Sequence, residues 1–122
     1  MAINFTYETY EDLLKVKTNG YDESYEQALE YGQNVVNIAY QNNCSHILCD
    51  ETELQYRLTI PETYNLVHEL SYLASAKFRI AIVSTIVNKY AGKFFILTAG
   101  NRGATIDFFT DMRKAEKWLD KK

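Results

Sequence analysis

The run Lys-Phe-Arg-Ile-Ala-Ile-Val-Ser at 77–84 constrains the fold more than any other stretch of the chain. It is short, apolar and rich in β-branched residues, and the segments on both sides of it have helical periodicity. A strand that lies between two helices in sequence is typical of a parallel sheet covered on both faces. The chain is therefore expected to form an α/β fold around this strand.

Two runs near the N-terminus, at 3–8 and 13–18, alternate apolar and polar residues. The polar residues 10–12 separate them, so the pattern predicts an antiparallel hairpin with one apolar face. Asn19 and Gly20 are expected to end the second strand, because this pair tolerates the positive φ that a turn requires.

The middle of the chain alternates predicted helices and strands. A capping box at Ser24 and Gln27 begins a first helix over 24–41. The apolar run at 46–50 predicts a strand that is buried on both faces. Residues 52–58 are expected to be irregular or to form a poorly formed extension of this strand.

The second predicted helix begins at a capping box formed by Thr59 and Glu62, with Pro61 in its first turn. This helix is expected to end near Ser75. After the 77–84 strand, the periodicity predicts a third helix over 87–99.

The C-terminal part is expected to contain a turn at 101–103, a strand at 104–109 and a helix that Asp111 caps. The inner face of that helix is formed by Met112, Ala115, Trp118 and Leu119. The predicted order is β-β-α-β-α-β-α-β-α, a single domain over 1–122. Its mixed sheet joins the N-terminal antiparallel hairpin to parallel strand–helix–strand units.

Charge and hydropathy exclude several classes of protein. The net charge is −3, which argues against a general nucleic-acid binder, since such proteins need a basic face. No apolar run approaches the ~20 residues that span a bilayer. The N-terminus has no secretory signal pattern, so we expect a cytoplasmic protein with reduced cysteines.

Metal binding is not expected from the cysteines and histidines. Cys44, His46 and Cys49 lie close in sequence, but a zinc site uses about four ligands in recognisable pairs. Positions 46 and 49 of a strand also point to opposite faces. We therefore expect neither a metal site nor a cofactor.

Ligands in an open parallel sheet gather beyond the carboxyl ends of the strands. Adjacent carboxylates at a strand end diverge, and no Ser-His-acid set is evident, so the sequence does not indicate an enzyme. The alternative is that the polar residues at the strand ends form no binding site and only cap helices and solvate loops. The candidate rim consists of Asp50, Glu51, Ser84, Thr85, Asn88, Thr110 and Asp111.

Two further features have alternative interpretations. Residues 100–103 lack a phosphate-loop pattern and precede a strand, which favours a tight turn, yet Arg102 remains a candidate binding residue. Tyr90, Phe94 and Phe95 lie at helical spacing. Such aromatics form core more often than they line an apolar cavity.

Three groups of residues together resemble the SpoIIAA-like (STAS-type) domain family, in the branch grouped with Sec14-like lipid-binding folds. The first is an apolar strand that ends in acids, the second is the central strand, and the third is similar to the family's closing strand and helix. They are residues 47–51, residues 79–83, and the combination of Phe94-Phe95, 101–103, 108–111 and Ala115-x-x-Trp118-Leu119.

This resemblance implies a non-enzymatic regulatory or binding domain that acts through a protein partner. The family includes anti-sigma factor antagonists that are switched by phosphorylation of a serine at a helix N-terminus. In the family that serine normally lies in a segment that contains Asp-Ser, and no Asp-Ser pair is present here. Thr59 is the residue that could take a phosphate at a helix N-terminus. Its alternative role is a plain helix cap.

The lipid-binding relatives imply a second possibility, a domain that binds a lipid or another apolar small molecule. A third, an enzyme that uses the strand-end rim, is disfavoured. A further hypothesis is that the chain forms a homodimer. It rests on the ten tyrosines and on an exposed sheet edge expected at the hairpin.

Overall fold

A computed structural model of the chain describes residues 2–74, 76–84 and 104–120. The predicted helix at 87–99 and the turn at 101–103 lie outside these residues. The described strands are β1 (Ile3–Tyr10), β2 (Leu13–Tyr21), β3 (His46–Gln55), β4 (Arg79–Val83) and β5 (Thr105–Phe109). The described helices are α1 (Tyr25–Gln41), α2 (Ile60–Leu73) and α3 (Met112–Asp120).

The five strands form one sheet in the order β1-β2-β3-β4-β5. β1 and β2 are antiparallel, whereas β2, β3, β4 and β5 run parallel to one another. The predicted mixed α/β sheet, with an N-terminal hairpin beside parallel strands, is therefore confirmed. None of α1, α2 and α3 is both long and apolar enough to cross a bilayer.

The hairpin continues further than the alternating pattern predicted. β2 does not end at Asn19-Gly20 but extends to Tyr21, and Gly20 pairs with Ile3 of β1. Gly20 has the expected positive φ, 99°, and a Cβ there would lie only 1.9 Å from the carbonyl oxygen of Ala2. A glycine is required at this position because the two backbones approach so closely.

β3 also corrects the sequence analysis. The strand was expected to end at Asp50 and Glu51, but it continues to Gln55, which pairs with Tyr21 of β2. Among the described strands the extension pairs with β2, because β4 ends at Val83 opposite Asp50. A neighbouring strand can therefore hold polar residues in the extended conformation, which local sequence preference does not reveal.

Each face of the sheet has its own core. On the α1–α2 face, Val35 and Val67 of the helices pack against strand residues such as Val16 and Ile47. On the α3 face, Ala115 and Leu119 pack with strand residues. The strand residues of the α3 face are Leu48, Ala81 and Val83.

The helix ends follow local capping rules. The Ser24 hydroxyl accepts a hydrogen bond from the Gln27 N–H at 3.2 Å, but the Gln27 side chain donates to Glu23 and does not complete the predicted box. At α2 the box is complete. Thr59 Oγ1 accepts from the Glu62 N–H at 3.2 Å, and the Thr59 N–H donates to Glu62 Oε1 at 2.9 Å.

The last helix is attached to the sheet by Arg79. Its guanidinium donates to the Trp118 carbonyl at 2.7 Å and lies 4.1 Å from the centre of the Trp118 ring. Asp111 caps the helix as predicted, since its Oδ1 accepts from the Arg113 N–H at 2.9 Å.

Candidate functional site

A buried carboxylate, Glu51, lies at the end of the sheet where β4 stops. Side chains alternate along β3, so Glu51 shares the α1–α2 face with Ile47 and Cys49. Its residue is only 6% exposed. Asp50 pairs with Val83, the last residue of β4, so Glu51 follows directly after the β3–β4 pairing. The alternation of side chains along β3 therefore places the Glu51 carboxyl on the apolar α1–α2 face of the sheet.

Two tyrosines donate hydrogen bonds to this carboxylate. The Tyr31 hydroxyl of α1 donates to Oε2 at 2.8 Å, and the Tyr56 hydroxyl donates to Oε1. Since Tyr31 donates to Glu51, the fully buried Thr18 hydroxyl 2.8 Å away donates to the Tyr31 oxygen. We call Glu51, Tyr31, Tyr56 and Thr18 the Glu51 cluster.

An irregularity in the β2–β3 ladder helps to form this cluster. Lys17 pairs with Asp50, but Asn19 pairs with Glu53, so β3 contains one residue more than β2 at this point. Thr18 lies within this bulge. Bulges re-aim side chains and occur next to functional sites. Thr18, the β2 residue within the bulge, reaches the cluster through its hydrogen bond with the Tyr31 hydroxyl.

Burial raises the pKa of Glu51 to about 7. The hydrogen bonds from Tyr56 and Tyr31 act in the opposite direction, because they stabilise the ionised form, while the charges of Asp22 and Asp50 raise the pKa further. Burial, and then the charge of Glu51, raises the pKa values of Tyr31 and Tyr56. The cluster therefore holds one proton-exchanging group near neutral pH, the carboxyl of Glu51.

A cavity of about 70 Å³ lies between α1, α2 and the sheet beside this cluster. Asp22, which is 5% exposed, also lines it, and burial raises the pKa of that carboxyl. Most of the lining is apolar and comes from α2 and from the ends of the strands. The apolar lining residues are Ala28, Leu54, Leu58, Leu66, Val67, Leu70, Ile82 and Phe108.

The structure separates the two adjacent acids of the predicted rim. Asp50 faces the α3 side of the sheet, where its Oδ1 accepts from the Thr52 N–H at 3.1 Å and from the Thr52 hydroxyl at 2.7 Å. It lines a shallow groove of about 380 Å³ with Lys15, Lys17 and other residues. Because Asp50 and Glu51 lie on opposite faces, they do not converge on one substrate.

Among the rim residues that the structure describes, Ser84 also reaches the Glu51 cluster. It is 1% exposed, and its hydrogen bond to Tyr56 lowers the pKa of that phenol against the larger effect of burial. Its backbone N–H donates to the Phe109 carbonyl at 2.9 Å. Thr85, Asn88 and Arg102, which the sequence analysis also selected, lie outside the described residues.

Thr59 is exposed at the start of α2, and its hydroxyl serves as the helix cap. Its carbonyl oxygen also accepts from the Thr63 hydroxyl at 2.9 Å. These contacts match the capping alternative, and phosphorylation at Thr59 stays a prediction.

The sequence analysis missed Tyr31, Tyr56, Thr18 and Asp22. A signal for Tyr31 was present, because it lies three residues after Ala28 and four before Val35, on the buried stripe of α1. Thr18 has the same alternation as the buried Val16. Tyr56 and Asp22 follow strand ends and reach the cluster only through the tertiary fold, so no local pattern indicates them.

A second surface feature lies on the outside of α2. A groove of about 480 Å³ is bordered by exposed Tyr72 and Leu73, at 52% and 51%, and by Tyr25 of α1, whose hydroxyl donates to Glu69 at 3.1 Å. The His68 ring lies edge-on to Tyr72, 4.9 Å between ring centres. This groove is aromatic and open, unlike the cavity at the Glu51 cluster.

The thiols offer no nucleophile to either site. Burial raises the pKa values of both Cys44 and Cys49, so both stay protonated at neutral pH. In the part of the chain that the structure describes, no three His, Cys, Asp or Glu side chains are grouped to hold a metal ion.

Solved structures share this fold. A protein of the DUF3478 family from Shewanella loihica PV-4, described as having a SpoIIAA-like fold, is 23% identical, with a TM-score of 0.53 over 97% of this chain and 93% of that one. An anti-sigma factor antagonist from Mycobacterium paratuberculosis is 10% identical, with a TM-score of 0.61 over 98% of this chain and 95% of its own. The chain therefore has the SpoIIAA-like fold. No protein-family model and no curated protein matches it.

Proposed function

We propose that this chain is a non-enzymatic regulatory or binding domain that acts by contacting a protein partner. The observation that carries the proposal is the fold, which an anti-sigma factor antagonist shares over 98% of this chain. The name of that protein describes action through another protein. The proposal places the domain in the cytoplasm, where its two free, buried cysteines would remain reduced.

The described chemistry supports a binding role over catalysis. Asp50 and Glu51 lie on opposite faces of the sheet, and both cysteines are protonated at neutral pH. Glu51 is satisfied by two tyrosine hydroxyls rather than exposed to a substrate. A general acid or base must reach the reacting group directly or through one water.

The groove outside α2 is the surface that we assign to the partner. Tyr72 and Leu73 have large side chains that are half exposed, and Tyr25 adds a second tyrosine to the border of the groove. Aromatic side chains are enriched in protein interfaces and often dominate their binding energy. A partner that covered this groove would bury both residues without disturbing the cores.

Site-specific photo-crosslinking tests the proposal. A photoreactive phenylalanine analogue replaces Tyr72 in the full chain, produced at its natural level in its own cells. Position 40 serves as the matched control, since Tyr40 is 44% exposed but does not border this groove. We expect a defined protein adduct from position 72 and not from position 40. Equal labelling at both positions, or turnover of a substrate that Asp50→Ala abolishes, would refute the proposal.

The cavity beside the Glu51 cluster favours a second candidate function, binding of a small apolar molecule. Its volume of about 70 Å³ is well below the ~300–1,000 Å³ of drug-sized ligand pockets, so a lipid does not fit within it. Native mass spectrometry of freshly purified protein tests this function. A co-purifying small molecule that Leu66→Trp displaces would support it, and an unmodified mass alone would count against it.

A further inference from the structure

Within the described residues, the edge of the sheet at β1 lacks the lysine, proline, glycine or bulge that normally protects an edge strand. β1 has eight residues, against about five or six for a usual strand, and pairs with β2 without a bulge. It contains no lysine, proline or glycine. Natural proteins blunt exposed edges with such residues, with bulges or with a covering segment, because open edges pair with other strands.

The hydrogen-bonding groups that β1 presents outward can be assigned. The Ala2 carbonyl accepts from the Tyr21 N–H at 3.0 Å, so Ala2 faces β2. Orientation alternates along a strand, and the even-numbered residues therefore bond to β2. The N–H and C=O groups of Ile3, Phe5, Tyr7 and Thr9 point away from the sheet.

We propose that β1 pairs antiparallel with β1 of a second copy of this chain, about a two-fold axis at Thr6. In this register Phe5 of each copy lies opposite Tyr7 of the other copy. The interface therefore contains two aromatic cross-strand pairs, which are favourable. It also places Glu8 opposite the neutral Asn4, so no like charges meet across the strands. The outward groups of the odd-numbered residues then exchange about eight hydrogen bonds.

A second copy fits this edge because the strand is complementary to itself, as a two-fold contact requires. Strand pairing alone buries less than the ~1,200 Å² of a standard interface, so the dimer forms reversibly at high concentration. Glu30 of α1 lies beside Ile3 and Phe5, and both copies of this carboxylate share the interface. Added salt therefore strengthens the association by screening their repulsion.

Analytical ultracentrifugation of the full chain over roughly 10 µM to 1 mM tests the proposal. We expect the weight-average mass to rise from one chain towards two, and to rise further in 0.5 M salt. Tyr7→Pro removes one outward N–H and leaves the β1–β2 ladder intact, since proline is tolerated at such edge positions. This variant is expected to remain a monomer.

Tyr7→Lys provides a second test should the proline variant misfold, which circular dichroism would reveal. Tyr72→Lys is its matched control, because it makes the same exchange at an exposed tyrosine on α2. We expect Tyr7→Lys to abolish dimerisation and Tyr72→Lys to leave it unchanged. A monomeric wild type at all concentrations, or equal dimerisation of both lysine variants, would overturn the proposal.

Disulfide formation tests the register. Thr6 faces its own copy across the axis in a non-hydrogen-bonded pair, whose Cα atoms lie about 4.5 Å apart, within disulfide range. Under mild oxidation Thr6→Cys is expected to form a covalent dimer and Glu8→Cys is not. The native Cys44 and Cys49 are buried and do not compete. Crosslinking of Glu8→Cys in preference to Thr6→Cys would contradict a two-fold axis at Thr6.

Discussion

The pH dependence of stability is expected to depend strongly on one residue, Glu51. Its pKa in the folded protein is about 7, raised by burial from an ordinary value of 4.5. The carboxyl of Glu51 binds its proton more tightly in the folded protein than in the unfolded chain. Its contribution to the free energy of unfolding is therefore most favourable below pH 4.5 and is lost as the pH rises to 7. A shift of this size corresponds to about 3 kcal/mol of unfolding free energy.

Urea denaturation of the wild type and of Glu51→Gln at several pH values measures this effect. Glutamine resembles the protonated acid but does not ionise. We expect the difference in unfolding free energy to move by about 3 kcal/mol in favour of the variant between pH 4.5 and 7. Glu53→Gln, at an exposed neighbour, serves as the control and is expected to show little change. A difference between the Glu51→Gln variant and the wild type that stays constant with pH would show that Glu51 is not buried as a proton-binding group.

The residue scale also shows where sequence reasoning stops. Asp50 and Glu51 were selected together as polar strand-end residues, and the alternation of β3 explains why they separate. That separation was predictable from the period of two. The environment of Glu51 was not, because the hydroxyls of Tyr31 and Tyr56 come from elements that only the tertiary fold brings together.

At the scale of elements, the contact between α1 and α2 depends on Gly32. A Cβ at this position would lie 2.6 Å and 2.7 Å from the two terminal methyl carbons of Leu70. Alanine improves helix propensity by about 1 kcal/mol, but overpacking costs about 1–3 kcal/mol. We therefore expect Gly32→Ala to destabilise the protein by about 1 kcal/mol.

A double-mutant cycle separates these two effects. Leu70→Ala removes the methyl groups that would clash, so Gly32→Ala in that background is expected to stabilise the protein by up to about 1 kcal/mol. Chemical denaturation of the four proteins gives the coupling energy. An equal effect of Gly32→Ala in both backgrounds would show that α1 and α2 do not meet through these residues.

The capping box of α2 is expected to stabilise that helix. Thr59→Ala removes the acceptor for the Glu62 N–H and should lower the unfolding free energy by about 1 kcal/mol. Thr59→Ser keeps a hydroxyl at the same position and is expected to retain most of the stability. Thermal denaturation followed by circular dichroism compares the three proteins. Equal losses in both variants would argue against a role of the hydroxyl as a cap.

Local and long-range elements differ in how well sequence predicted them. The ends of α1 and α2 were close to correct because capping uses neighbouring residues. The extension of β3 from Thr52 to Gln55 was predicted only as an alternative to an irregular segment, because its polar residues pair with β2, more than thirty positions earlier in the chain. Strand preference depends on the partner strand more than on the residue itself.

At the scale of the whole molecule, the sheet connects the hydrophobic core on its α1–α2 face with the core on its α3 face. The order of elements was predictable because right-handed crossovers and apolar runs restrict the possible topologies. β3 and β4 contribute side chains to both cores: Ile47 and Ile80 to one, Leu48 and Ala81 to the other. Loss of either core should therefore unfold the other.

Trp118 allows this cooperativity to be measured. It is the single tryptophan of the chain and packs on the α3 face, 5.6 Å from Phe109 between ring centres. Val67→Ala removes apolar contacts on the opposite face and should cost about 2 kcal/mol. We expect the fluorescence transition of Trp118 in urea to shift as far as the circular dichroism transition, because small single domains unfold in one step. A fluorescence transition that stayed in place while the circular dichroism transition moved would show that the two faces unfold independently.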